Sequence, residues 1–204
     1  MRVLCVLAHP KPESFTAALL ERFAAGLAQS GHQAEIADLY REGFDPCYSA
    51  EDFDNYRGKA PLPPEILREQ QRARDVDALA LFFPLWWWSF PAILKGWIDR
   101  VFRSDFALHE IDGQLVGALG YRKAVIITPA AASRDDFRRY GYHGALQRQV
   151  DAGIFGFCGV ADVETYIFPN VDSDPAARIE HLQKTFEIGR DFDTTSGRGN
   201  QPLQ

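Results

Sequence analysis

Val3 to Ala8 is an unbroken apolar run closed by His9 and Pro10, the pattern of a strand covered on both faces. After a short loop, Leu19, Leu20, Phe23 and Leu27 recur at helical spacing. Ser14 stands where an N-cap belongs, and Gly31 stops the pattern. Gln33 to Leu39 turns to alternation with Ala34 and Ile36, which predicts a second strand. From Tyr40 to Pro64 no period survives, because Gly43, Pro46, Gly58, Pro61, Pro63 and Pro64 interrupt it, and the stretch reads as a long surface excursion. Glu65 to Arg74 restores a helix, and Ala78 to Pro84 is the clearest buried strand in the chain. Pro91 then opens a helix whose apolar face carries Ile93, Leu94, Trp97, Ile98, Val101 and Phe102.

Beyond it, Phe106 to Tyr121 reads as a loop or short hairpin, Lys123 to Thr128 as a strand and Ala145 to Phe155 as a helix. Asp162 to Phe168 makes a fifth main strand, and Asp174-Pro175 starts a last helix running through Ile188. Residues 1–192 form one domain in this reading, followed from Asp193 by a polar tail without a core face, expected to be mobile. Strands alternating with helices predict an α/β fold with a doubly wound parallel sheet, whose ligand site lies outside the carboxyl ends of the strands. The loops to inspect are therefore His9 to Phe15, Pro84 to Phe90, Pro129 to His143, and Asn170 to Asp174.

Composition narrows the partners. The 204 residues are 46% hydrophobic, enough for one core, and 22 basic against 28 acidic residues give a charge of -6, which disfavours a nucleic-acid partner. The longest apolar run, Ala78 to Pro91, is interrupted by Ser89 and falls short of the roughly 20 residues of a membrane span, so no membrane insertion is expected. The amino-terminal apolar stretch is too short for a signal peptide, and a cytoplasmic location is expected. Cys5, Cys47 and Cys158 are widely separated and without ligand spacing, so neither a disulfide framework nor a metal site is indicated.

Neither G-x-G-x-x-G nor G-x-x-x-x-G-K-[ST] occurs, which removes the main support for a Rossmann dinucleotide site or a P-loop. The first loop still offers hydroxyls, helix-start N–H groups and the charge of Lys11 or His9, an anion cradle, although Ser14 capping and His9 ending a strand account for the same residues. In the second loop Trp86, Trp87 and Trp88 are consecutive, so their side chains diverge and cannot all enter one core. They suit a flat aromatic ligand, a subunit contact, or both. His143 follows the fourth main strand beside Tyr140 and Tyr142 and is a candidate to stabilise or protonate a developing anion. His32, His109 and His181 are expected at the surface.

Taken together, Val6-Leu7-Ala8-His9, Ser14-Phe15, Phe83-Pro84-Leu85-Trp86-Trp87 and the block Pro91 to Phe102 closely resemble the NAD(P)H:quinone oxidoreductase family, flavoproteins of flavodoxin-like fold. The resemblance implies strand order 2-1-3-4-5, a homodimer, and FAD, or FMN as in shorter relatives, with NADPH or NADH as hydride donor. It places His9, Ser14 and Phe15 at the cofactor's phosphates, and Pro84, Leu85, Trp86, Trp87 and Trp88 along the isoalloxazine ring. Thr128 to Ala132, Ala131 included, would border the pyrimidine side, with His143 near O2 and Tyr140, or Tyr142, as its proton-sharing partner if the loop is shifted from the family's register. The implied reaction is two-electron, ping-pong hydride transfer through flavin N5 to a quinone or a nitro- or azo-aromatic acceptor.

Three departures accompany the resemblance. The family's Thr-Thr-Gly-Gly turn is here Thr128-Pro129-Ala130-Ala131-Ala132, the tyrosine of its tyrosine–histidine pair aligns with Phe137, and its paired acceptor-pocket tyrosines are replaced by Leu108, His109 and Glu110. Two other readings compete: a flavin-binding regulatory subunit serving a transporter or other partner, and a one-electron carrier.

Overall fold

The computed structural model describes residues 1–193, so the expected polar tail lies, after Asp193, outside the described residues. Five parallel strands form the central sheet in the order β2-β1-β3-β6-β7, where β1 is Arg2–Leu7, β2 Gln33–Asp38, β3 Ala78–Phe82, β6 Lys123–Pro129 and β7 Val163–Phe168. Strands β4 (Leu108–Ile111) and β5 (Gln114–Gly117) pair separately as an antiparallel hairpin. With that hairpin set aside the order is the expected 2-1-3-4-5, and the register runs Val3 beside Ala34 on one side and Ala78 on the other. Every residue of β3 and β6 is buried, as helices on both faces require of a central parallel strand.

Helices α1 (Phe15–Gln29) and α7 (Pro175–Arg190) cover one face over Val3, Cys5, Phe23, Phe82 and Ile127. They touch backbone to backbone: a Cβ on Gly26 would meet the Phe186 carbonyl at 2.2 Å, and one on Gly189 the Phe23 carbonyl at 2.2 Å. Only glycine permits that approach. The opposite face is covered by α3 (Pro64–Arg74), α4 (Ala92–Val101), α5 (Arg134–Tyr140) and α6 (Tyr142–Leu146), around Trp97, Phe83, Phe137 and Phe155.

Three expectations need correction. The Tyr40 to Pro64 excursion is not simply surface: it contains α2 (Ala50–Tyr56), capped reciprocally by Ser49 and Asp52, and Asp52 is fully buried. Arg100 Nε and Arg103 Nη1 reach its carboxylate at 2.9 and 3.1 Å, an ion-paired anchor between residues about fifty positions apart. Burial opposes its charge, but hydrogen bonds from Ser49 and Arg100 hold the Asp52 carboxyl below the usual carboxylate range. The helix expected over Ala145 to Phe155 is π-helical from Gln147 to Gly156, closed by wide bonds such as Phe157 N–H to the Ala152 carbonyl. Of the three histidines expected at the surface only His109 is exposed. His32 is wedged between the amino terminus (3.0 Å) and Asp193 (3.1 Å), and His181 stacks on Phe168 at 4.6 Å. No helix among the described residues is long and apolar enough to cross a membrane.

Candidate functional site

The site begins where β1 hands over to α1. Ser14 has extended backbone and its hydroxyl accepts the Ala17 N–H at 3.2 Å, so the cap is made, while the Phe15 and Thr16 amides have no intrahelical acceptor. His9 Nδ1 accepts the Lys11 amide at 3.0 Å, which turns the loop and brings Lys11 to the same mouth. Burial, with Lys11's charge adding to it, holds the His9 imidazole below its ordinary value, against a hydrogen bond to the Lys11 carbonyl that acts the other way. Positive charge and free donors thus sit at a helix start, the arrangement that binds phosphate.

The second wall is the turn after β3. Trp86 N–H bonds the Pro84 carbonyl and Ser89 N–H the Trp86 carbonyl, and between them Trp87 and Trp88 both adopt left-handed backbone, with φ of 50° and 61°. Such conformations cost L-residues with large side chains on the order of 1–2 kcal/mol each. Among the described residues the Trp87 and Trp88 amides have no acceptor. Trp87 is 94% exposed, Trp86 lies 6.1 Å from the His9 ring, and Trp88 stacks on Tyr142 at 3.6 Å with Phe137 edge-on at 5.4 Å.

The third wall follows β6. Leu85 N–H bonds the Pro129 carbonyl, Ala130 N–H the Phe168 carbonyl, and Val171 N–H the Ala130 carbonyl, which ties this turn to the loop after β7 and leaves the Ala131 amide open. At the end of β6, Thr128 is fully buried and its hydroxyl has no partner among the described residues.

These walls enclose a cleft of about 330 Å³ lined by His9, Ser14, Phe15, Pro84, Leu85, Trp86 and Ala131, together with Lys11, Thr16, Pro129, Val171, Asp172 and Arg178. A second groove, also of about 330 Å³, continues from it between α1 and α7, sharing Phe15, Val171, Asp172 and Arg178 and adding Ala18, Pro175, Ile179 and Leu182. Seven of the expected residues therefore come together. Thr128, Trp87, Trp88, His143 and Tyr140 do not line the cleft. His143 is half-buried, with burial pushing its imidazole down. Tyr140 is exposed and packs against Tyr142 at 5.5 Å, without a hydrogen bond to His143. Phe137, buried where the resemblance expects a tyrosine, has no proton to give.

Sequence reading picked out the loop that holds Asp172 without singling that residue out, and missed Arg178 in the first turn of α7. Their only signal was the loop after the last strand, at a position the switch-point rule makes available to ligand. The Arg178 guanidinium lies 4.6 Å over the Phe15 ring, which parks a cation at the junction of the two grooves.

Residues 1–188 match the family described as flavodoxin-like fold. An NAD(P)H:quinone oxidoreductase from Methanothermobacter marburgensis superposes with a TM-score of 0.87 at 32% identity, over 94% of this chain and 98% of that one. A Haemophilus influenzae protein named as an uncharacterized NAD(P)H oxidoreductase is 31% identical over 84% of this chain and 85% of its own length. The NAD(P)H dehydrogenase [quinone] 1 of Cavia porcellus is 30% identical over 85% of this chain and 70% of its own. The chain belongs to the NAD(P)H:quinone oxidoreductase family. This family member is accordingly an oxidoreductase, and the cleft at the carboxyl edge of the sheet is its candidate site.

The residues fit a flavin. Open amides on Phe15, Thr16 and Ala131 would suit its anionic and carbonyl acceptors, cations stand at Lys11 and Arg178, and Trp86 provides an aromatic wall.

Proposed function

We propose that the protein is a cytoplasmic, FAD-dependent NAD(P)H:quinone oxidoreductase that also accepts related aromatic compounds such as nitro- or azo-arenes. The observation that carries this reading is the pair of joined grooves. The first, with its helix-start amides and Lys11, suits the ribityl phosphate and ring. The second, with Arg178 at its entrance and Ile179 and Leu182 along it, suits a further phosphate and an adenosine, which FMN lacks.

Bound flavin supplies hydride acceptance and return at N5, two electrons at a time, so donor and acceptor take turns and initial-rate lines run parallel. The Trp87 and Trp88 amides of the turn would serve the ring edge, and the Ala131 amide would serve the pyrimidine side. His143, whose burial lowers its pKa and so favours the neutral imidazole, stands outside the residues that line the cleft and would donate an N–H hydrogen bond to the negative charge that reduced flavin gathers. In this reading His143 carries the proton-donating role without a tyrosine relay, since Phe137 has replaced the expected partner and Tyr140 packs on the outer wall. The same reading makes the protein a homodimer, with the exposed Ile111, Leu115 and Val116 of the hairpin as its apolar contact face.

A visible spectrum of the isolated protein tests the reading, followed by chromatography of the released chromophore. FAD that bleaches with NADPH or NADH and recovers with a quinone is the expected result. Bound flavin without turnover would favour the partner-serving subunit, and protein that takes up neither FAD nor FMN would overturn the assignment.

A further inference from the structure

Outside the cleft, four side chains line up in contact. The Trp88 indole stacks on the Tyr142 ring at 3.6 Å and 20°, and Tyr142 meets Tyr140 at 5.5 Å. The Arg139 guanidinium caps the series 5.3 Å from the Tyr140 ring centroid. Gly141, left-handed at φ 68°, joins α5 to α6 between the two tyrosines. The series starts two residues from Trp86, which lines the cleft, and ends in solvent, where Tyr140 is 56% exposed and Arg139 is exposed.

Its electrostatics are uneven. Arg134 and Arg138 are also exposed on α5. The acids on the same helix are Asp135 and Asp136. Asp136 is committed to the cap, accepting from the Ser133 amide at 3.0 Å and its hydroxyl at 2.6 Å, and Asp135 stands 3.9 Å from Arg138. No carboxylate lies within ion-pairing distance of Arg139 among the described residues; Asp136 feels its charge from farther off while bonded to the Ser133 cap, so the direct contact of the guanidinium is with an aromatic face. Core packing does not require such an arrangement, because the two outer members bury little.

A planar base fits against the Tyr140 ring, and a phosphate dianion fits the fork of an arginine that is not already paired. A nicotinamide that reaches flavin in the cleft leaves its adenosine half outside, since a cleft of about 330 Å³ has no room for both. We propose that Tyr140 and Arg139 form the adenosine subsite of the hydride donor, with adenine on the tyrosine and a 2′-phosphate on the arginine, so that NADPH is preferred over NADH. This rests on the oxidoreductase reading above and deepens it by naming the donor.

The test is the ratio of kcat/KM for NADPH to that for NADH. In the wild type the ratio exceeds one. Arg139→Ala lowers it about tenfold, the scale of one lost charge-assisted hydrogen bond, and Arg139→Lys restores part of it. Tyr140→Leu lowers both kcat/KM values together and leaves the ratio in place. A wild-type ratio of one, or a ratio indifferent to Arg139→Ala, overturns the proposal. A second readout does not depend on turnover: 2′,5′-ADP should quench the tryptophan fluorescence of the isolated protein at lower concentration than 5′-ADP, with the difference lost in Arg139→Ala. If that difference is present while no donor is oxidised, the activity reading fails and the subsite stands. If donors are oxidised and no difference is seen, the subsite fails alone.

Discussion

Two irregular segments of this chain, both rich in aromatic residues, have opposite fates. Residues 40–64 bring their charge inward: Asp52 is fully buried and paired with Ser49, Arg100 and Arg103, and Arg100 also reaches the Asp45 carbonyl and Glu65. Residues 84–90 do the reverse, holding two tryptophans in left-handed backbone with unpartnered amides and one indole almost wholly in solvent. A segment whose polar groups are satisfied by the protein contributes to stability. One that keeps donors open and backbone strained is held for something the protein binds. The comparison can be broken by substitutions that separate folding from binding.

The largest effect belongs to the anchor. Asp52→Ala removes the buried carboxylate shared by Arg100 and Arg103, leaving Arg100 with Glu65 and the Asp45 carbonyl and Arg103 with the main-chain carbonyl of residue 52, and breaking a buried pair from one side costs about 3–5 kcal/mol. Denaturant titration should show the unfolding free energy falling by that amount and the midpoint with it, in protein with and without flavin alike. A loss under about 1 kcal/mol would be within the range of an ordinary exposed ion pair and would undo the contrast.

The contrast also marks what sequence can carry. The Ser14 cap, the two all-apolar strands and the Pro84 to Phe90 loop were legible because each is written in neighbouring residues: a hydroxyl before a helical period, an unbroken apolar run, a switch point after a strand. Ser49 and Asp52 cap α2 inside a stretch whose sequence reads as surface excursion, and Asp52's second role depends on Arg100 and Arg103, which only the packing of α4 brings near. Arg178 enters the site from about 160 residues beyond Ser14, through the parallel run of α1 and α7 that Gly26 and Gly189 allow. The π-helical segment escaped because its residues suit an α-helix equally well. The left-handed turn was hidden for a better reason: tryptophan is a residue type that argues against it, and functional sites are where local preference and final structure part.

The middle effect belongs to the turn. Trp87 is 94% exposed, so Trp87→Ala should move the melting temperature of flavin-free protein little, within the roughly 0.5 kcal/mol typical of surface changes. Flavin or acceptor affinity should fall by about 1 kcal/mol, the scale of an aromatic contact. Melting curves with and without flavin check this. An equal drop in both would assign Trp87 to folding and place the two segments in one class.

The smallest effect separates them by pH. Asp52 has a folded pKa below its unfolded value near 3.9, so its stabilisation is complete above that value and is lost as pH falls through the folded one. His143 is also depressed, but from about 6.5, because the buried imidazole resists charging; its stabilisation is complete above 6.5 and is lost as pH falls below it. Asp52 of the first segment and His143, which lies in α6 outside both, therefore lose stability in different windows, His143 first on acidification and Asp52 only below pH 4. His143→Gln should flatten the upper window by a few tenths of a kcal/mol, a small amount because solvent screens a half-buried group. It should leave the lower window intact, and Asp52→Asn should do the converse. The same His143 variant should keep its flavin while the rate of flavin reduction by NADPH falls about tenfold, the scale of one hydrogen bond to developing charge. A variant that flattens the upper window without slowing reduction would show that His143 belongs with the anchor, a packing residue that happens to titrate near neutrality.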